Sequence, residues 1–315
     1  MTITPSGATI GIKPMLATAS SGQGNRRPRE IESLDGYAFE EKIDGVRALV
    51  FYDAKAGTTI LNRSGNDITL AFPEVVEAMH KGGPDMILDG EIVLRNGTFG
   101  DLNGRAKVTV AAKATAKAAA MPAKFVAFDV LSYGGEPLVA QPYTERRRML
   151  LALGEAYNVH PAFEVVRASF DGRAFFEQVK ADGGEGVIAK KISSLYKAGT
   201  RSPEWVKFKA TQTVTCVAVS YEPGKGARAA FGAMHLAMVG GAKPLYVGRV
   251  GSGLSADAIT ACKAGLDRGE FVIVEIETLG RTPDNKLRFP VFKGIRSDQT
   301  VHDATIDQMD LLSLQ

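Results

Sequence analysis

The chain has 315 residues, 45% hydrophobic and 23% charged, with 38 Lys+Arg against 35 Asp+Glu for a formal net charge of +3. This length suggests two domains, at roughly 100–200 residues each, and the composition excludes a mostly disordered chain. The small net charge excludes only a partner held by bulk charge, and the two cysteines, Cys216 and Cys262, exclude a disulfide framework or a four-cysteine zinc site.

Residues 1–30 are rich in Gly, Ser and Pro and read as a loose lead-in. No charged segment followed by a long apolar core opens them, and no run of about 18 apolar residues follows, so a soluble cytoplasmic protein is expected. The cluster Arg26, Arg27, Arg29 reads first as a solvated segment and second as a nucleic-acid contact. From Tyr37 the pattern alternates: YAFEEKI, VRALVFYD and TTILNR are predicted strands, with Asp44-Gly45 and Lys55–Gly57 as the turns between them. FPEVVEAMHK is predicted helical, MILDGEIVLRN a strand pair or one long strand, and FVAFDVL a buried strand. KVTVAAKATAKAAAMPAK has the propensity of a solvated helix ended at Met121-Pro122, either a surface connector or a nucleic-acid contact. TERRRMLLALGE and AFFEQVKADGG are amphipathic helices, and EGVIAKK and EWVKFK are strands. Beyond Ala210 come three strands (TVTCVAVSYE, AMHLAMVG, KPLYVGRV), the helix SADAITACKAGLD, and two strands (FVIVEIETLG, LRFPVFKGI). That is the order of a five-stranded OB-fold barrel. The expected organisation is an α+β chain: a lead-in over 1–30, a domain of antiparallel sheets with flanking helices over 31–210, and an OB-fold domain over 211–315.

The most informative segment is FEEKIDGVRALVFY. Lys42 closes a strand immediately before Asp44-Gly45, and taken alone it is a surface charge before a hairpin. Other polar residues are set among apolar strands: Glu91 in ILDGEIVL, Glu185 at the start of EGVIAKK, Lys207 and Lys209 in EWVKFK. Strand alternation puts Lys207 and Lys209 on one face and Val206 and Phe208 on the other. Two lysines on one face need an anion, a carboxylate or water opposite them.

Lys42-x-Asp44-Gly45-x-Arg47, then DGE with Glu91, FDVL with Phe128 and Asp129, EGV with Glu185, and K-F-K with Lys207 and Lys209 follow one another in the order of the covalent nucleotidyltransferase motifs. RSPEWVKFK, PGKG before FGAMHLA, the early PMLA and the closing LRFPVFKGIRSD most resemble ATP-dependent DNA ligases, in the compact form without an N-terminal DNA-binding domain. The resemblance runs from about residue 13 to 300. It implies that Lys42 attacks the α-phosphate of ATP, that AMP passes to a 5′-phosphate at a break in duplex DNA, and that the 3′-hydroxyl then displaces AMP. A free lysine, with a pKa of about 10.4, is almost wholly protonated at neutral pH, and nearby cations and desolvation disfavour that form. Lys207, Lys209 and a divalent ion would supply such a field. Glu91 and Glu185 are hard oxygen ligands suited to Mg²⁺ or Mn²⁺ held jointly with phosphates.

Position by position, the resemblance puts Glu40 in the adenine site, Phe128 against adenine, Arg47 and Arg201 on the nucleotide, and Arg63 on nucleotide or nick phosphate. Asp44 is either a metal-adjacent carboxylate or a turn residue, and Phe128 taken alone would be core. Arg288 and Arg296, in a closing segment with Arg281, Lys286 and Lys293, are the contacts expected for the pyrophosphate leaving group, with a hinge at residues 210–213. Lys225 and Arg228, with Arg63, are candidates for duplex backbone. His80, His160, His235 and His302 show no ligand spacing, and Trp205 and Phe208 are expected in the core. The implied partners are nicked or broken duplex DNA and an end-binding repair protein, met by a monomer in the cytoplasm at the nucleoid. The competing readings are an RNA ligase or GTP-using capping enzyme, and a non-catalytic OB-fold nucleic-acid-binding protein.

Overall fold

A computed structural model describes residues 12–20, 29–79, 83–97, 99–157, 160–224, 226, 229–240 and 243–312. The chain divides into two units, Met1–Phe208 and Lys209–Gln315. Arg26, Arg27, His80, Lys225 and Arg228 lie outside the described residues.

The first unit contains β1 (Leu16–Ala19), β2 (Tyr37–Glu41), β3 (Val46–Asp53), β4 (Gly57–Asn62), α1 (Pro73–Met79), β5 (Met86–Leu94), α2 (Phe99–Arg105), α3 (Ala111–Ala120), β6 (Ala123–Tyr133), β7 (Glu136–Pro137), α4 (Tyr143–Tyr157), β8 (Phe163–Val165), β9 (Ala168–Ser169), α5 (Gly172–Ala181), β10 (Gly186–Lys191) and β11 (Arg201–Lys209). These strands form two sheets. One has the order β1-β11-β10-β2-β9, and the other β4-β3-β5-β6-β7 with β8 paired to β6.

Strand alternation builds the layers. On β3, Ala48, Val50 and Tyr52 enter a core that also takes residues from α1 and α4, while Leu49 joins Ile87, Leu131, Tyr196 and Trp205 in a second core that draws on both sheets. On β10, Val187 and Ala189 pack with Phe175 and Val179 of α5 in a third. The polar residues of the same strands fall on the face between the sheets, and there the site forms.

Two expectations for this unit need correction. Within the expected lead-in, Leu16–Ala19 form a strand that pairs in parallel with β11. In addition, β2 and β3 are not a hairpin: they belong to different sheets, so Lys42–Gly45 carry the chain from one sheet to the other. Asp-Gly is a local turn signal, whereas sheet membership is decided by distant partners: β10 for β2 and β5 for β3. Gly45 is required there for space. A Cβ would fall 2.3 Å from the Ile92 carbonyl oxygen and 2.7 Å from Glu91 Cγ.

Of the predicted helices, α4 and α5 keep close to their expected bounds, α3 starts four residues after Lys107, and α2 has no counterpart among the predicted elements. Asp171 caps α5 by accepting from the Ala174 N–H at 3.0 Å. α3 stops at Ala120 with Met121-Pro122 beyond it. MILDGEIVL is one long strand, β5.

The second unit contains β12 (Gln212–Glu222), β13 (Ala233–Gly240), β14 (Lys243–Val250), α6 (Ala256–Asp267), β15 (Val272–Thr278) and β16 (Val291–Ile295). Its sheet order, β14-β13-β12-β15-β16, is that of an OB-fold. The ends approach each other where Phe292 N donates to Ser252 O at 2.9 Å and Leu287 N to Val247 O at 2.8 Å. The last strand starts later than LRFPVFKGI predicts. Phe289 has φ 48°, a conformation costly for a bulky residue, and Pro290 has no N–H to give a ladder. No helix among the described residues is long and apolar enough to cross a membrane.

Candidate active site

A cleft in the first unit is lined by residues from both sheets: Leu16 and Ala17 of β1, Glu40 and Glu41 of β2, Lys42, Arg47 of β3, Arg63, Glu91 of β5, Phe128 of β6, Ile188 and Lys190 of β10, and Arg201, Trp205 and Lys207 of β11. Eight residues singled out from the sequence therefore meet in one place: Glu40, Lys42, Arg47, Arg63, Glu91, Phe128, Arg201 and Lys207.

Lys42 leaves β2 with its N–H donating to Gly186 O at 2.8 Å, and its Nζ forms an ion pair with Glu185. Glu185 is buried; it meets the cleft through Lys42 and does not line it. Arg47 lies directly opposite Glu91 across the β3–β5 ladder. Its Nε and Nη2 donate to the two oxygens of Asp89 at 2.6 and 2.7 Å, and Nη2 also reaches Met15 O at 3.1 Å. Burial alone would lower the Arg47 pKa, but Asp89, with Tyr196 and Glu91 beside it, outweighs burial and the net shift is upward. Tyr196 Oη donates to the same Asp89 at 2.6 Å. With Asp89 so occupied, Glu91 is the carboxylate of β5 that lines the cleft. Burial pushes its pKa up to about 7, against the pull of Arg47 and Lys42.

Behind this rim lies a buried polar layer. Glu40 is only 2% exposed; it accepts from Tyr143 Oη at 2.7 Å and pairs with Lys190 Nζ at 2.7 Å. Lys190 also donates to Phe128 O at 2.8 Å, and its pKa is lowered by burial despite Glu40 and Asp129. Asp129 is held by Arg146 Nε and Nη2 at 2.7 and 3.1 Å. The Phe128 ring carries the Arg47 guanidinium at 4.4 Å and the Lys190 ammonium at 4.7 Å from its centroid. Phe128 and Trp205 both pack into the inter-sheet core and wall the cleft, so Phe128 is at once a core residue and part of the cleft lining.

Asp89, Tyr143, Arg146, Lys190 and Tyr196 went unrecognised in the sequence. Two of them left a signal. Lys190 is two residues from Ile188 on one strand, so alternation puts it on an apolar face, and Asp89 stands in the same relation to Glu91. The adjacent Lys191, exposed, makes the pair look like an ordinary surface run.

The remaining candidates are placed elsewhere. Lys209 is exposed at the end of β11 and does not line the cleft. Arg288 and Arg296 belong to the second unit. Arg288 lies over the Phe289 ring at 5.2 Å, and burial lowers its pKa. Arg296 pairs with Asp298 at 2.7 Å and Glu275 at 3.2 Å. His235 is half-buried beside Glu222 at 3.7 Å. Cys216 and Cys262 are buried thiols with pKa values raised to about 12 and about 11 by burial, and so are unreactive at neutral pH.

Among the described residues no group of three or more His, Cys, Asp or Glu could enclose a metal ion. The donors present are Glu91, desolvated at the cleft, and Glu185, close enough to raise its pKa. Two hard carboxylates without a closed cage fit a divalent ion that takes its other ligands from water and phosphates.

A family model described as ATP dependent DNA ligase domain matches residues 14–209. The chain is 29% identical to the multifunctional non-homologous end joining protein LigD of Mycolicibacterium smegmatis, over 91% of this chain and 38% of that protein. It is 28% identical to a probable DNA ligase of Dictyoglomus thermophilum, over 89% of this chain and 57% of the relative. The crystal structure of the ligase domain from M. tuberculosis LigD superposes with a TM-score of 0.55 at 26% identity, covering 93% of this chain and 98% of that one. The chain thus spans between 38% and 57% of the length of these two curated relatives.

Proposed function

Because the chain belongs to the ATP-dependent DNA ligase family, we propose that it seals breaks in duplex DNA, joining a 5′-phosphate to a 3′-hydroxyl through a Lys42–AMP intermediate. The carrying observation is the setting of Lys42: at the junction of two sheets, paired with Glu185, and lining one cleft with Glu91, Lys207 and Phe128.

Lys42 Nζ attacks the α-phosphorus of ATP, the bond to the β-phosphate oxygen breaks, and pyrophosphate leaves. An ammonium has no lone pair, so Nζ must first give up a proton. Glu185, already hydrogen-bonded to it, is the acceptor in reach. Lys207 and Arg201 present positive charge to the phosphates from β11, and Arg63 does so from the far side of the cleft. Glu91 and Glu185 would hold Mg²⁺ or Mn²⁺ jointly with the phosphates, and the ion would supply further positive charge against the phosphate oxygens. Glu40 and Phe128 receive the adenine, with Arg47 fixed beside them by Asp89. AMP then moves to the 5′-phosphate of the DNA, and the 3′-hydroxyl displaces it as the new phosphodiester bond forms. Lys209, Arg288 and Arg296 are proposed as further nucleotide contacts on the family pattern.

The proposed substrate is nicked or broken duplex DNA, met by a monomer at the nucleoid. An end-binding repair protein is the partner suggested by the end-joining relative. Intact mass after incubation with ATP and Mg²⁺ tests the first step. One added AMP, lost on addition of pyrophosphate, is expected. Transfer from GTP with none from ATP overturns the reading.

A further inference from the structure

The polar layer beneath the cleft contains an acceptor with two donors, and the two do different work. Glu40 is 2% exposed, so water does not compete for its carboxylate. Lys190 Nζ holds Oε2 at 2.7 Å and is itself anchored by Phe128 O at 2.8 Å, with Asp129 4.0 Å away. Asp129 in turn is held at both oxygens by Arg146. A carboxylate held at one oxygen can still swivel about that point. Tyr143 Oη, from α4, holds Oε1 at 2.7 Å and fixes the carboxylate plane. Arg147 Nη1, at 3.6 Å from Oε1, adds charge without a hydrogen bond. Burial and the neighbouring Glu40 carboxylate keep the Tyr143 phenol protonated, hence always a donor.

The orientation matters because an ionised carboxylate only accepts hydrogen bonds. It can take one from the 6-amino group of adenine, whereas the 6-oxo group of guanine is another acceptor and is repelled. Each carboxylate oxygen has capacity beyond the donor it already holds, so the base can be added without breaking the lock. We propose that Tyr143 is a positioning residue for nucleobase choice, acting through Glu40 to make the cleft select ATP over GTP. This rests on the adenylation reading above.

The test compares ATP and GTP dissociation constants in the full chain carrying Lys42→Ala, where binding proceeds without transfer. Tyr143→Phe removes one oxygen from a ring that stays packed. Its expected effect is about tenfold weaker ATP binding with GTP little changed, the size of one lost hydrogen bond to a buried charge. An ATP preference unchanged within about twofold, whatever the loss in Tm, overturns the inference and leaves Tyr143 a packing residue. Glu40→Leu, which leaves neither donor nor acceptor, closes the cycle: on that background Tyr143→Phe should no longer change the ATP-to-GTP ratio, and a full additional effect overturns action through Glu40. Glu40→Leu alone must also lose ATP preference, and retention of the preference is decisive even if Tyr143→Phe does not fold. If the Lys42→Ala reference binds neither nucleotide, the adenylation reading fails and the inference fails with it. If that reference prefers ATP and the variants keep the preference, only the inference fails.

Discussion

The two units bury different chemistry. Among the described residues every buried charged side chain lies in the first unit: Glu40, Asp89, Arg105, Asp129, Arg146, Glu185 and Lys190. The second unit buries Thr215 and Thr278 as its polar residues, around a core of Val214, Cys216, Met234, Leu236, Val247, Val274 and Ile276. Its charges stay outside in pairs such as Arg268–Glu270 and Lys263–Asp267. Burying a charge is costly unless it is paired, so a unit that does it repeatedly is trading stability for a prearranged electrostatic field. A unit that does not can place its chemistry only on its surface.

Four substitutions probe that contrast, in order of expected effect. Lys42→Ala should reduce formation of the AMP adduct by about 10⁴-fold or more, as loss of a nucleophile does; an adduct persisting at lysine refutes the assignment. Next, Arg146→Met leaves Asp129 buried without its partner, and urea unfolding of the first unit should lose about 3–5 kcal/mol. A loss below about 1 kcal/mol would mean these buried charges are cheaper than the contrast assumes.

Third, Glu91→Gln separates stability from activity through pH. The folded pKa of Glu91 is about 7 against 4.5 for the free group, so the folded state holds more protons between those values. Its contribution to stability is complete below pH 4.5 and is lost as pH rises through 7. The glutamine variant should therefore match the parent near pH 4.5 and be more stable at pH 8, by about 3 kcal/mol, while its metal-dependent adenylation falls. Equal stability at both pH values would remove Glu91 from the set of strained groups. Last, Arg268→Ala cuts an exposed pair of the barrel and should leave Tm within error of the parent in moderate salt. A marked loss would show that the second unit, too, depends on its charges.

Much of this was readable in the chain. Lys42, Glu91, Phe128 and Lys207 belong to a motif order that only a shared site explains, and they meet in the cleft. The barrel was legible because its strands mostly pair with sequence neighbours, leaving one crossover, β12 to β15. Long-range pairing was harder to read. Nothing local says that residues flanking Asp44-Gly45 join different sheets, or that Leu16–Ala19 lies against β11. The buried layer was hidden for another reason: Tyr143 and Arg146 begin an ordinary amphipathic helix, and only its docking turns them toward Glu40 and Asp129.

Strand β1 bears on where the smallest working fragment of this protein can start. Met15 supplies a carbonyl to Arg47 and an N–H to the Tyr196 hydroxyl, and Leu16 and Ala17 complete the cleft wall. A truncation cut neatly to the lysine motif would keep every residue the motifs name. It would nonetheless leave Arg47 and Tyr196 each a hydrogen bond short and one side of the cleft open. The cleft is thus built from pieces discontinuous in sequence, and the first of them lies well before Lys42.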